Sequence, residues 1–258
     1  MKKITFIAVL LLTQPDLCHA ERIVDGIQIL TTLDELVDPK HSAVIVVDLQ
    51  NDWCSTEGGC VRTDKERPSK PEESEVATAW KEQMESVRKF LDAAREKGVL
   101  VCYAEYIHKN ELGQMLVAGP DLWCHRNSED IALQVAGSWE SKTFGDIAPK
   151  EGDIVIRKHH GNSFYGTALN DLLKERGIRS VLLCGTGSLA CVLHTAIGAQ
   201  ERGYYPVYVR DCVDNQRPEL LEWVDDWLPM YESKDIVASW EKALKENTAG
   251  SGTRDDKQ

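Results

Sequence analysis

The chain has 258 residues, 42% hydrophobic and 28% charged, a balance that suits one soluble α/β domain or a small pair. Its formal charge of -12 excludes nucleic acid as the main partner, because phosphate binding needs a basic face.

Residues 1–20 read as a secretory leader. Lys2 and Lys3 give a basic start, and Ile4 to Leu12 is an apolar run too short to span a bilayer. Cys18-His19-Ala20 ends in the small residue a signal peptidase prefers, without a lipobox around Cys18. Cleavage after Ala20 would release the domain, residues 21–246, to the periplasm or the cell exterior, free of the membrane. Seven of the eight cysteines lie beyond the leader, an odd number. Cys191 is the candidate for the free thiol. Cys54 can pair with Cys60, with Cys124 as an alternative partner for either, while Cys102, Cys184 and Cys212 sit on or beside predicted strands and read as buried. No C-x-x-C pair supports a zinc site.

Leu33 to Val37 reads as a helical turn. Ala43 to Val47 is purely apolar and β-branched, as in a strand covered on both faces of a parallel sheet, and ends at Asp48. Residues 55–72 read as a loop. Glu75 to Lys97 carries Val76, Trp80, Val87, Phe90, Leu91 and Ala94 at helical spacing and stops at Gly98. Val99 to Ala104 is a second strand. Residues 107–145 lack periodicity, and so long a connection points to function or a rim. Asp153 to Ile156 is a third strand, followed by Arg157 and Lys158. Thr167 to Arg176 is a helix.

Ser180 to Cys184 is a short apolar strand broken by Gly185-Thr186-Gly187-Ser188. From Cys191 the pattern turns helical, with Val192, Thr195, Ala196 and Ala199 on one face. Pro206 to Val209 is a fifth strand ending at Asp211. Leu220 to Tyr231 looks helical, Ile236 to Ala238 is a short last strand, and 247–258 reads as a disordered tail. Strands alternating with helices imply a parallel sheet with helices on both faces.

The strand–turn–helix around Cys191 puts a thiol in the first turn of a helix. Unpaired N–H groups and partial positive charge there favour a thiolate, lower its pKa and can stabilise an oxyanion. Asp48, Lys158 and Cys191 all follow strand ends, so parallel strands bring them to one edge of the sheet. The ammonium then stabilises the thiolate and the carboxylate moves a proton. Asp52 is an alternative to Asp48 on spacing alone.

These residues resemble a family. D-L-Q-N-D-W-C (Asp48 to Cys54), K-H-H-G-N-S-F-Y-G-T (Lys158 to Thr167) and G-T-G-S-L-A-C-V-L-H-T-A (Gly185 to Ala196) resemble the three signatures of the isochorismatase-like cysteine hydrolases. G-S-W-E (Gly137 to Glu140) falls where that family has it, and the resemblance covers roughly Ala43 to Ala243. It implies a three-layer α/β/α fold with a six-stranded, mostly parallel Rossmann-like sheet, and a homo-oligomer. It implies an Asp48–Lys158–Cys191 triad, an oxyanion hole at Gly187 and Cys191, and a cis peptide at Thr186–Gly187. Members hydrolyse C–N bonds of small amide, ureido or carbamoyl compounds through a thioester, with no cofactor in this branch. Trp53, Phe164, Tyr165 and His194 are the expected pocket residues. Nicotinamidases of the family hold a metal through histidines after the first strand; this chain has no histidine between His41 and His108, so no metal is expected.

Three other functions compete. Isochorismatases proper cleave a vinyl ether and commonly lack the nucleophilic cysteine. An inactive small-molecule binding protein would share the fold. Gly185 to Ala190 also fits G-x-G-x-x-A, a dinucleotide fingerprint, with Asp211 where a ribose-binding acid belongs. That match is weak, because it falls after three strands. Ser188 lacks the G-x-S-x-G of a serine nucleophile.

Overall fold

The computed structural model describes residues 22–55, 58, 75–117, 119, 134–214 and 218–251. The leader, nearly all of the 55–72 loop, Trp123, Cys60, Cys124 and the end of the tail lie outside the described residues.

The chain divides into two compact units, residues 1–31 and 32–258. In the first, β1 (Arg22–Val24) and β2 (Ile27–Ile29) form an antiparallel hairpin. Asp25 and Gly26 turn it with φ of 51° and 82°, the pair of positive values a two-residue hairpin turn needs.

The second unit is built on six parallel strands. In chain order they are β3 (Ser42–Val47), β4 (Leu100–Tyr106), β5 (Ile154–Lys158), β6 (Ser180–Gly185), β7 (Tyr205–Val213) and β8 (Met230–Tyr231). Their spatial order is β5-β4-β3-β6-β7-β8. The chain moves outward through β4 and β5, then crosses back to lay β6 on the other side of β3. The point where the order reverses, between β3 and β6, is where open α/β sheets place their ligands.

The helices are α1 (Leu33–Leu36), α2 (Asn51–Cys54), α3 (Glu75–Glu96), α4 (Leu169–Glu175), α5 (Cys191–Gln200), α6 (Pro218–Asp225) and α7 (Ser233–Ser251). All six residues of β3 are buried, as expected of a central strand. Its alternate residues Ala43, Ile45 and Val47 join one core with Leu169 and Leu173 of α4, Val192, Ala196 and Ala199 of α5, and Leu221 and Val224 of α6. Against α3 packs α7: Trp240 stacks on Phe90 at 5.2 Å, and its indole N–H donates to the Val37 carbonyl at 2.7 Å. Among the described residues, no helix is long and apolar enough to cross a membrane.

Several expected elements differ. Residues Ile236 to Ala238 lie in α7, not in a strand; the sixth strand is Met230–Tyr231, two residues long and too short to carry a period. The helix expected over Leu220 to Tyr231 stops at Asp225. That expected tail is helical through Ser251. Strand β7 continues past Val209 to Val213 through a register shift opposite Leu183 to Gly185, so Asp211 lies inside it. Cys102, Cys184 and Cys212 are buried free thiols, whereas the Cys60 and Cys124 pairings fall outside the described residues.

Candidate active site

Strand β5 carries Lys158 to the site. It is an edge strand, and its residues alternate: Ile156 is buried, Arg157 exposed and Lys158 fully buried. Alternation therefore turns a strand-end lysine inward. Its ammonium donates to Asp48 Oδ2 at 2.9 Å, to the His160 carbonyl at 3.1 Å and to the Gly161 carbonyl at 3.3 Å. It also lies 4.4 Å from the centroid of the Tyr106 ring, so a cation–π contact covers its remaining side.

Asp48 follows β3 and is 3% exposed. Its φ of 54° is left-handed, a conformation uncommon outside glycine, though aspartate tolerates it better than most residues. Gln50 holds the turn: its amide nitrogen donates to the carbonyls of Tyr106 and Ser141 at 3.0 and 2.9 Å, and its Oε1 accepts the Tyr106 N–H at 2.7 Å. The G-S-W-E segment docks alongside, through Asn51 Nδ2 to the Trp139 carbonyl at 2.8 Å and Asp52 N–H to the Glu140 carbonyl at 3.1 Å. Lys158 thus meets Asp48. Asp52 is buried in the bracing turn α2.

Beyond β6 the chain turns on two glycines. Gly185 (φ 138°) lies against the Val47 main chain so closely that a side chain would collide, and Gly187 (φ 75°) needs the left-handed region. Among the described residues no peptide bond is cis, so Thr186–Gly187 is trans and the glycine dihedrals make the turn instead. Thr186 N–H donates to the Val47 carbonyl at 3.0 Å, which ties the turn to the end of β3. Helix α5 then starts at Cys191. Ala190 and Val192 donate to the Gly187 carbonyl at 2.8 and 3.0 Å. The N–H groups of Gly187 and Cys191 have no acceptor among the described residues, and a Cβ at Gly187 would lie 3.2 Å from Cys191 N. Two free donors therefore flank the thiol where an oxyanion would form.

The electrostatics correct one expectation. Burial pushes the Cys191 thiol up to about 12, the Asp48 carboxylate adds to the rise, and Lys158 opposes it. Burial thus opposes the thiolate that the helix terminus favours. Burial also raises the Asp48 carboxyl above its ordinary value, against the pull of Lys158 and Cys191. Asp48 Oδ1 is buried without a hydrogen-bond partner among the described residues. The resting arrangement is a thiol beside a carboxylate with one acceptor oxygen unused.

Of the expected pocket residues, Phe164 is misplaced. It is 3% exposed, stacks on Tyr204 at 5.7 Å and lies under the Arg202 guanidinium, so it belongs to the core. Tyr165 is 60% exposed and meets the His160 ring edge-on at 4.7 Å. His194 sits on α5 with Nδ1 packed over Gly161, and Trp53 is half-buried on α2. Four contributors went unread in the sequence. Tyr106 floors the lysine, and His108 packs on Tyr106 at 4.6 Å between ring centroids. Ser163 and Thr195 join the lysine segment to α5: Ser163 N–H donates to Thr195 Oγ1 at 3.1 Å, and that hydroxyl donates to the Cys191 carbonyl at 2.7 Å.

Asp211 accepts from Ser233 N–H at 2.8 Å and Ser233 Oγ at 2.6 Å, so both its oxygens engage the start of α7, which gives the carboxylate a structural role there.

The isochorismatase domain model matches residues 42–223. The chain belongs to the isochorismatase family. Its relatives in this family include an N-carbamoylsarcosine amidase from Arthrobacter sp., 28% identical over 163 residues, 62% of this chain and 61% of that protein. The chain thus spans about three-fifths of that amidase's length. A ureidoacrylate amidohydrolase from Rhizobium rhizogenes is 28% identical over 71% of this chain and 74% of its own. Among solved isochorismatase-like folds, a cysteine hydrolase from Pseudomonas syringae superposes with a TM-score of 0.65 at 21% identity, over 80% of this chain and 94% of that one. These likenesses and the six-stranded parallel sheet establish the α/β fold of the family.

Proposed function

We propose that the protein hydrolyses a C–N bond of a small amide, ureido or carbamoyl compound, with Cys191 as nucleophile and Asp48 and Lys158 as its partners. The observation that carries this reading is the buried Lys158–Asp48 pair at 2.9 Å, whose second carboxylate oxygen is left over for the Cys191 thiol among the described residues and whose charge acts on that thiol. The amidase relatives support the bond class. A cysteine at position 191 favours this chemistry over vinyl ether cleavage. Export rests on residues 1–20, and assembly as a homo-oligomer on the family resemblance.

The steps follow from the charges. With a thiol near 12, attack needs proton transfer as the substrate arrives: Asp48 takes the Cys191 proton while Lys158 holds the carboxylate in place. The sulfur adds to the carbonyl carbon, and the resulting oxyanion faces the Gly187 and Cys191 N–H groups. Asp48 returns the proton to the leaving nitrogen, and the C–N bond breaks to a thioester. A water activated by Asp48 then hydrolyses the thioester, and the thiol is restored.

The test is ammonia release from a panel of small amides, ureides and carbamoyl compounds, comparing wild type with Cys191→Ala. Release by the wild type alone supports the reading; equal release by both overturns it. Asp48→Asn should reduce turnover about 10²- to 10⁴-fold, the usual span of a positioned general base. Full turnover by that variant would remove Asp48 from the mechanism.

A further inference from the structure

The peptide between Gly187 and Ser188 is held at both ends. Its carbonyl accepts the Ala190 and Val192 N–H groups at 2.8 and 3.0 Å. Its N–H donates to Asp214 Oδ1 at 2.6 Å, a charge-assisted bond to a carboxylate that is only 7% exposed. Asp214 lies just past β7, and its own N–H donates to the Gly185 carbonyl at 3.2 Å, the residue that begins the turn. Tyr208 of β7, fully buried, donates its hydroxyl to the Ser188 carbonyl at 3.0 Å. One neighbouring strand therefore grips the turn at three points.

This grip sorts the N–H groups of the turn. Thr186 N–H is taken by Val47, Ser188 by Asp214, and Ala190 and Val192 by Gly187. What stays open among the described residues is Gly187 and Cys191, the donors next to the thiol, and Leu189. If Asp214 were absent, the Gly187–Ser188 peptide would lose the carboxylate that accepts its N–H and could rotate. Its carbonyl would then swing away from Ala190 and Val192, and the first turn of α5, which presents the Cys191 N–H, would lose that anchor.

We propose that Asp214 is a positioning residue that locks the oxyanion-stabilising turn ahead of Cys191, an assignment that rests on Cys191 being the nucleophile. It touches no reacting atom. It acts by fixing the peptide plane whose carbonyl anchors the start of α5, and through it the Cys191 N–H, so its removal weakens chiefly those reactions of Cys191 that pass through an oxyanion.

Two reagents separate that effect from general damage without needing the natural substrate. With p-nitrophenyl acetate, the sulfur bonds to the acyl carbon through an oxyanion, p-nitrophenolate leaves, and the thiol proton passes to Asp48. With iodoacetamide, the sulfur displaces iodide at a saturated carbon and no oxyanion forms. In Asp214→Ala the p-nitrophenolate burst should slow about 100-fold, the scale of losing one oxyanion donor, while alkylation of the Cys191 peptide, read by mass, stays within about threefold. Asp214→Asn keeps an oxygen acceptor for Ser188 N–H and should restore the burst to within about fivefold of wild type. Tyr208→Phe removes the other anchor and should slow the burst alone, which keeps the test informative should Asp214→Ala fail to fold. Equal slowing of both reactions would mean that Asp214 only maintains the fold, and an unchanged burst would mean that the turn does not need it; either overturns the proposal. A burst that persists in Cys191→Ala would overturn the nucleophile assignment and this proposal together, whereas a Cys191-dependent burst indifferent to Asp214 overturns this proposal alone.

Discussion

Two acid–base pairs sit at opposite ends of the same sheet. At the amino ends of the strands, Arg95 and Asp153 meet at 2.7 Å beside a cleft of about 560 Å³ lined also by Lys40, Lys97 and Arg176. At the carboxyl ends, Lys158 and Asp48 meet at 2.9 Å. The first pair is tied up on both sides. Asp153 accepts from Arg95 and from the Lys150 N–H at 2.8 Å, and Arg95 also donates to Tyr103 OH at 2.8 Å, which in turn donates to the Ile147 carbonyl at 2.7 Å. Among the described residues, the second pair leaves Asp48 Oδ1 without a hydrogen-bond partner, beside a thiol and two open N–H groups. Burial, opposite charge and a nearby cleft therefore do not mark the reactive end. On the proposed reading the unspent acceptor does, because an open network can take a proton and a closed one holds structure.

Replacing each cation tests that contrast most severely. Lys158→Met strands Asp48 as a buried anion, which should cost about 3–5 kcal/mol of stability and abolish measurable hydrolysis. The double variant Lys158→Met/Asp48→Asn should regain much of the stability and none of the activity, read by denaturant melts and ammonia release. Arg95→Met should cost somewhat less, about 2–3 kcal/mol, because Arg95 keeps 17% of its side chain exposed. Its turnover should stay within about twofold of wild type. Equal loss of turnover in both variants would dissolve the distinction between the two ends.

Much of the reactive end was legible. The apolar run before Asp48, the glycine break after Cys184 and the helical period from Cys191 each fix a strand end or a helix start, and parallel pairing brings them together. Lys158 was readable as a residue following a strand, but the strand runs on through Lys158, and it is the alternation there, with Ile156 and Lys158 buried, that turns the lysine inward. The Asp25-Gly26 hairpin turn is also written in the chain. What sequence could not give is contact between distant residues: Gln50 with Tyr106 across 56 positions, Ser163 with Thr195 across 32, Ser188 with Asp214 across 26. Phe164 shows the same limit. Its neighbours in sequence reach the site, while its ring is claimed by Tyr204 and Arg202 from the other side of the turn.

The resting charge state offers a milder test of the same contrast. Burial pushes the thiols of Cys102 and Cys184 up to about 12, against 9.0 unburied. A group with a raised native pKa contributes stability that is complete below the unfolded value and is lost as pH rises through the native one. Between pH 9 and 12 the unfolded chain therefore releases protons that the native chain keeps. Stability should fall over that window by about 1.4 kcal/mol per pH unit for each such thiol. Cys184→Ala should flatten the fall in urea midpoints above pH 9, and an unchanged slope would mean that this thiol is not shielded from water.

The smallest expected effect falls on the hinge between the lysine segment and the nucleophile helix. Thr195 Oγ1 takes the Ser163 N–H at 3.1 Å and donates to the Cys191 carbonyl at 2.7 Å, so one hydroxyl couples the chain that carries Lys158 to the residue that carries the thiol. Thr195→Val keeps the shape and removes both bonds, leaving Ser163 N–H buried without its acceptor, at a cost of about 1–2 kcal/mol. If the coupling sets the distance between Lys158 and Cys191, turnover should fall several-fold with an unchanged KM, since ground-state binding does not pass through it. Thr195→Ser restores the hydroxyl and should restore turnover. A Thr195→Val enzyme with lower stability and full turnover would show that the two segments hold their places without this bridge, and that the triad is set by the sheet alone.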